Sequence, residues 1–121
     1  MIGILVQDAP LELENTQIYN SSNFGIMAQT GIINAFNTVI GAAGQSSLAL
    51  TVGGNYHFTH STIGNYWNRS SRTYSALILD NTFETNEGFL PLSAQFDNCI
   101  IFGANNLELN INKAENSVFN Y

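Results

Sequence analysis

One short pattern constrains this chain more than any other feature. It is an Asn, then a small Ser, Thr or Cys, then any residue, then Ile or Phe. The copies are Asn15-Thr16-Gln17-Ile18, Asn37-Thr38-Val39-Ile40, Asn98-Cys99-Ile100-Ile101 and Asn116-Ser117-Val118-Phe119, with His60-Ser61-Thr62-Ile63 carrying His for Asn. Two residues before the Asn position stand Leu13, Ala35, Phe58, Phe96 and Ala114. Four before it stand Leu11, Ile33, Tyr56, Ala94 and Asn112. Between them fall Glu12, Asn34, His57, Gln95 and Lys113, then Glu14, Phe36, Thr59, Asp97 and Glu115. Apolar and polar residues alternate with period two, as in a strand with one buried face. After the Asn the phase slips by one, which predicts a bend between two strands. Asn suits such a bend because it tolerates the left-handed conformation better than other non-glycine residues.

The Asn positions are separated by 22, 23, 38 and 18 residues. Short strands repeating at about 20 residues predict a solenoid, in which each coil buries its inner face only by stacking on its neighbours. Like residues then stack on like, at about 4.8 Å per strand. The expectation is an inward ladder of Asn15, Asn37, His60, Asn98 and Asn116, whose amides bond along the axis and so offset their burial. Thr16, Thr38, Ser61, Cys99 and Ser117 should form a buried file beside it.

With these residues aligned, the chain resembles a right-handed parallel β-helix of the pectin-lyase-like superfamily. The resemblance covers most of residues 1–121 and implies an all-β solenoid of about five coils. It is nearly silent on activity. Lyases of that superfamily use calcium held by carboxylates with an Arg or Lys base, and its hydrolases use an Asp cluster. Neither pattern maps onto residues of this chain. An antiparallel β-sandwich is the alternative fold, because it too has short alternating strands.

Composition narrows the function classes. The chain has 121 residues, enough for one domain, and only 10% of them are charged, well below the usual quarter. Three Lys and Arg against nine Asp and Glu give a net charge of −6. That argues against nucleic acid or an anionic membrane surface, both of which need basic patches. No apolar run reaches the ~18 residues of a membrane span. Cys99 is the single cysteine, so no internal disulfide or cysteine metal cluster can form. The low charge, with many Asn, Ser, Thr and Gly, fits an exported bacterial protein at the cell surface.

In chain order, Gly3-Ile-Leu-Val6 resembles Gly25-Ile-Met-Ala28, so the chain opens partway round a coil. Gly53-Gly54 is read as a turn into the third coil. That coil carries two long extensions, 64–75 and 80–91. No basic leader precedes the first strand and both ends fall inside a repeat. The expectation is therefore a fragment of a longer solenoid, or a chain that self-associates through its open ends.

Two candidate sites follow. Tyr66, Trp67, Arg69, Arg72 and Tyr74 gather in the first extension. Aromatic faces with Arg suit a sugar ring bearing acidic or hydroxyl groups. Equally, the rings pack back on the coil and the Arg residues are solvated. Asp97 and Glu115 occupy one outward column and would lie about 5 Å apart on stacked coils. Such a pair could hold calcium or act as an acid and a nucleophile, unless Lys113 neutralises it. His57 and His60 fall on opposite faces by the alternation and so cannot share a metal. The functional expectation is a non-catalytic structural or adhesive β-helix. The alternative is a polysaccharide-binding or polysaccharide-processing one that uses the two extensions.

Overall fold

The computed structural model describes residues 1–121 apart from Glu87 and Asn116. Among these residues the chain is all β, and no helix is long and apolar enough to cross a membrane. The strands are β1 Ile4–Gln7, β2 Pro10–Glu14, β3 Gln17–Ile18, β4 Ile26–Phe36, β5 Val39–Ile40, β6 Leu48–Thr59, β7 Thr62–Asn65, β8 Leu77–Asp80, β9 Leu92–Asp97, β10 Ile100–Gly103, β11 Leu109–Asn112 and β12 Phe119–Asn120. Every strand pair is parallel. This rules out the antiparallel sandwich.

Strands pair with their counterparts one repeat on. In the larger sheet β1 and β2 lie on the two halves of β4, β4 lies on β6, and β6 carries β8 and β9, which pair with β11 and β12. The smaller sheet runs β3, β5, β7, β10. The aligned sequence columns become stacked columns: Leu11, Ile33, Tyr56 and Ala94 face one another, as do Leu13, Ala35, Phe58 and Phe96. The inward members make the core. Ile26, Ile33, Ile40, Leu48, Leu50, Phe58, Ile63, Leu77 and Leu92 are fully buried, each stabilising by about 1.5–3 kcal/mol. Phe58 and Phe96 stack with ring centroids 5.3 Å apart.

The expected turn at Gly53-Gly54 is instead a corner inside a continuous strand. β4 and β6 both pass through it, with Thr30 at φ 53°, Val52 at φ 75° and Gly54 at φ 125°. A Cβ at Gly54 would collide with the Tyr56 hydroxyl and the Gly31 carbonyl, so glycine is required there. Tyr56 props the corner from inside, its hydroxyl donating to the Gly53 carbonyl at 2.5 Å. Burial pushes the phenol up to about 12, against a smaller downward pull from the Gly31 N–H. Because the folded pKa lies above the ordinary 10.0, stability should hold below pH 10 and fall as pH rises toward 12. The gap corresponds to about 2–3 kcal/mol. Tyr56→Phe should flatten the alkaline limb of melting temperature against pH; an unchanged limb would show that another group titrates.

The second corner is the one the Asn pattern marks. Asn15, Asn37, His60 and Asn98 have φ of 51°, 51°, 48° and 52°. The left-handed bend is therefore present, but the inward ladder is not. All four side chains are exposed, because a left-handed residue at a convex corner directs its Cβ outward. Asn37 Nδ2 donates to Asn15 Oδ1 at 2.6 Å in solvent. His60 makes no such link and instead sets its ring edge-on to Phe36 at 5.6 Å. Asn116 lies outside the described residues.

The small residue after the bend turns inward. Thr16, Thr38, Ser61 and Cys99 each donate to the carbonyl two residues earlier, at 3.0, 3.3, 3.0 and 3.4 Å. That bond closes the corner and explains why a hydroxyl or thiol is used. Thr38 and Ser61 are buried, while Thr16 and Cys99 in flanking repeats are half-buried. Ser117 does not belong to this file. β12 pairs Phe119 with Leu92, so the last copy of the pattern does not stack beneath Asn98–Ile101. Ser117 instead donates to the Ala114 carbonyl and accepts from Asn81.

Among the described residues, the fully buried asparagines are two the pattern ignores, Asn65 and Asn81. Each stands at the start of one extension. Asn65 Oδ1 accepts from the Ala43 and Trp67 N–H groups, and Nδ2 donates to the Ala43 and Gln45 carbonyls. Asn81 accepts from the Ala114 N–H and donates to the Leu90 carbonyl and Ser117. Both pin backbone that leaves the sheets, where ladder bonds run out.

Candidate binding face

The second half of β4 and β6, with β2 and β9, turns two columns of side chains outward. One column is Glu12, Asn34, His57 and Gln95; the other is Glu14, Phe36, Thr59 and Asp97. They rim a hollow of about 510 Å³ lined by Glu12, Glu14, Asn34, Phe36, His57 and Thr59 among others. At its edge His57 Nε2 lies 2.7 Å from Asp97 Oδ2. Gln95 donates to the same carboxylate oxygen at 2.8 Å. The Thr59 hydroxyl is 3.3 Å from His57 Nε2.

This is not a nucleophile triad. A triad needs the carboxylate on one ring nitrogen and the hydroxyl on the other. Here both fall on Nε2, so the nitrogen that bonds Asp97 cannot also deprotonate Thr59. What the face offers is a set of amides and carboxylates around Phe36, which is 47% exposed.

Asp97 therefore does not pair with Glu115. Its stacking neighbour is Thr59, and its hydrogen-bond partner is His57, 40 residues back in sequence. The shifted register of β12 takes Glu115 out of that column. His57 and His60 both face solvent, His57 on the face of β6 and His60 at the corner beyond it. Among the described residues no group of three or more His, Cys, Asp or Glu could hold a metal ion.

The first extension is divided. Tyr66 is exposed and lies beside Phe102 with centroids 5.4 Å apart. Trp67 is half-buried, donates from Nε1 to Ser70, and has the Arg69 guanidinium 5.6 Å over its ring. Tyr74 meets Phe24 edge-on at 6.4 Å. Arg72, expected to face a ligand, is spent internally. Its side chain is 3% exposed, and it grips Glu108 with Nη1–Oε1 at 2.8 Å and Nη2–Oε2 at 2.7 Å. It also donates to the Tyr74 and Asn65 carbonyls. Glu108 in turn accepts the N–H groups of Ala76 and Asn105. Arg72 fixes the loop and cannot also meet a sugar.

A second hollow, of about 630 Å³, follows the Thr30 and Gly54 corner between Pro10, Ile32, Leu90, Pro91 and Val118. Its walls are mostly apolar and offer few directional groups.

Sequence reasoning named every residue of the polar face but did not assemble it. The column alignment already set His57 beside Gln95 and Thr59 beside Asp97. The Asp97–Glu115 column does not form because β12 pairs Phe119 with Leu92, which takes the last repeat off the register of Asn98. No family model matches the chain, and neither a curated protein nor a solved structure matches it.

Proposed function

We propose that this chain is a right-handed parallel β-helix segment with a structural or adhesive, non-catalytic role on an exported bacterial protein. The observation that carries the reading is the parallel stacking of repeat on repeat, with a left-handed corner at the same place in four of them. Such a scaffold presents a long regular surface and few moving parts. The arrangement at His57 adds support, since it holds a carboxylate but frees no base for an adjacent hydroxyl. The proposed partners along the axis are further repeats of the same helix or a second copy of the chain. At the β2 edge a partner strand would go without one donor, because Pro10 has no N–H.

The test is to incubate the chain with bacterial cells and with a panel of polysaccharides, following retention, reducing ends and unsaturated products. Retention without turnover is expected. Turnover that disappears in His57→Ala would sink the non-catalytic reading.

A further inference from the structure

We propose that the apolar hollow along the Thr30 and Gly54 corner binds a small amphiphilic cation, an aliphatic chain that ends in an amine. This goes beyond the structural and adhesive reading and does not depend on it. Three observations carry it.

The first is shape. The hollow measures about 630 Å³, within the range of about 300–1,000 Å³ for small-molecule sites. Gly31 and Gly54, paired on successive repeats, line it with bare backbone. Neither position admits a side chain: a Cβ on Gly31 would strike Val6, and one on Gly54 would strike the Tyr56 hydroxyl. The result is a trough that crosses the repeats, from Pro10 and Ile32 to Leu90 and Val118. Ile32 is 50% exposed and Val118 61%, so an aliphatic chain laid there would remove apolar surface from water.

The second is that the far wall is already built. Leu90 and Pro91 belong to the second extension, yet both are pinned to the stack. The Leu90 carbonyl accepts from the buried Asn81 amide at 3.0 Å, and the Pro91 carbonyl accepts the Gly54 N–H at 3.0 Å. A wall fixed in advance spares the ligand the cost of ordering a loop. The third is charge. Among the described residues, Asp8 is the one charged side chain lining the trough. The Thr30 hydroxyl is shared between Asp8 Oδ1 and the Gln29 carbonyl. Oδ2 takes no bond among the described residues, which leaves a carboxylate oxygen open at one end of an apolar channel. An ammonium group complements it. A fatty-acid anion would meet both Asp8 and a chain of net charge −6.

Calorimetric titration of the whole chain at pH 7 with hexylamine, octylamine, octanoate and spermidine tests this. Octylamine should bind saturably at one per chain. Each CH₂ added to the amine should tighten binding by about twofold, less than the roughly fourfold of full burial, because the trough is open on one side. Octanoate should bind about tenfold more weakly than octylamine, as attraction gives way to repulsion. Spermidine, a cation without a tail, should not bind. Asp8→Asn keeps a residue that tolerates the left-handed backbone and should remove most of the preference for amine over carboxylate. Ile32→Ser should weaken octylamine by about fivefold through lost apolar contact. Because Ile32 is half-exposed, that variant should keep the wild-type melting curve. Ile100→Ser, an equally exposed position on the smaller sheet, should change nothing. The site falls if octylamine shows no saturable binding, if octanoate binds as tightly, or if spermidine does. It also falls if Ile100→Ser weakens octylamine as much as Ile32→Ser. None of these results bears on adhesion to cells, so the adhesive reading stands or falls separately.

Discussion

Asn65→Leu should lower the melting temperature by more than 10 °C or abolish the cooperative transition. The substitution roughly keeps volume but strands four backbone groups that Asn65 satisfies: two N–H donors and two carbonyls on Ala43, Gln45 and Trp67. Each buried group left unpaired costs about 1–3 kcal/mol. Even with partial relaxation the sum is several kcal/mol, against a total of about 5–15 kcal/mol for a domain. Asn37→Leu is the informative comparison. Asn37 is exposed, so it loses one solvent-facing bond to Asn15 and gains the cost of a left-handed Leu at φ 51°. That cost is about 1–2 kcal/mol, a drop of a few degrees. If the two variants melt alike, the buried pin has been misplaced.

Arg72→Ala should cost about 3–5 kcal/mol, because it leaves the Glu108 carboxylate buried without its cation. Glu108 has a side chain only 11% exposed. The effect should be acid-sensitive in a definite sense. Burial pushes the Glu108 carboxyl up, but the Arg72 hydrogen bonds and the Asn105 and Ala76 N–H groups together hold it below the usual carboxylate value. A depressed folded pKa means the clamp contributes fully above the ordinary value of 4.5. Its contribution is lost as pH falls through the lowered one. Chemical denaturation between pH 7 and pH 3 should therefore show a steeper loss for wild type than for Glu108→Gln. Arg72→Lys should rescue little, since an ammonium cannot grip both oxygens and two carbonyls at once. An Arg72→Ala variant as stable as wild type would show that the extension is not held by this pair.

The sequence by itself determined the alternating strands, the left-handed corners and the register of the first four repeats. These are local matters. A period of two fixes which side chains face inward, a one-residue slip would expose the whole set, and an Asn or His at the bend meets a backbone preference carried by that residue alone. Four features were decided only by the tertiary structure. The ladder residues point to solvent, because orientation at a corner depends on which side the next strand closes. Asn65 and Asn81 carry the buried amides, because only there does the chain leave the sheets for an extension. Arg72 meets Glu108 across 36 residues and His57 meets Asp97 across 40. The last repeat abandons the register of Asn98, with Phe119 on Leu92. The path of each extension back to the stack sets the contacts of Asn65, Asn81 and Arg72. Loop closure costs too little per added residue to leave a periodic signal in the sequence.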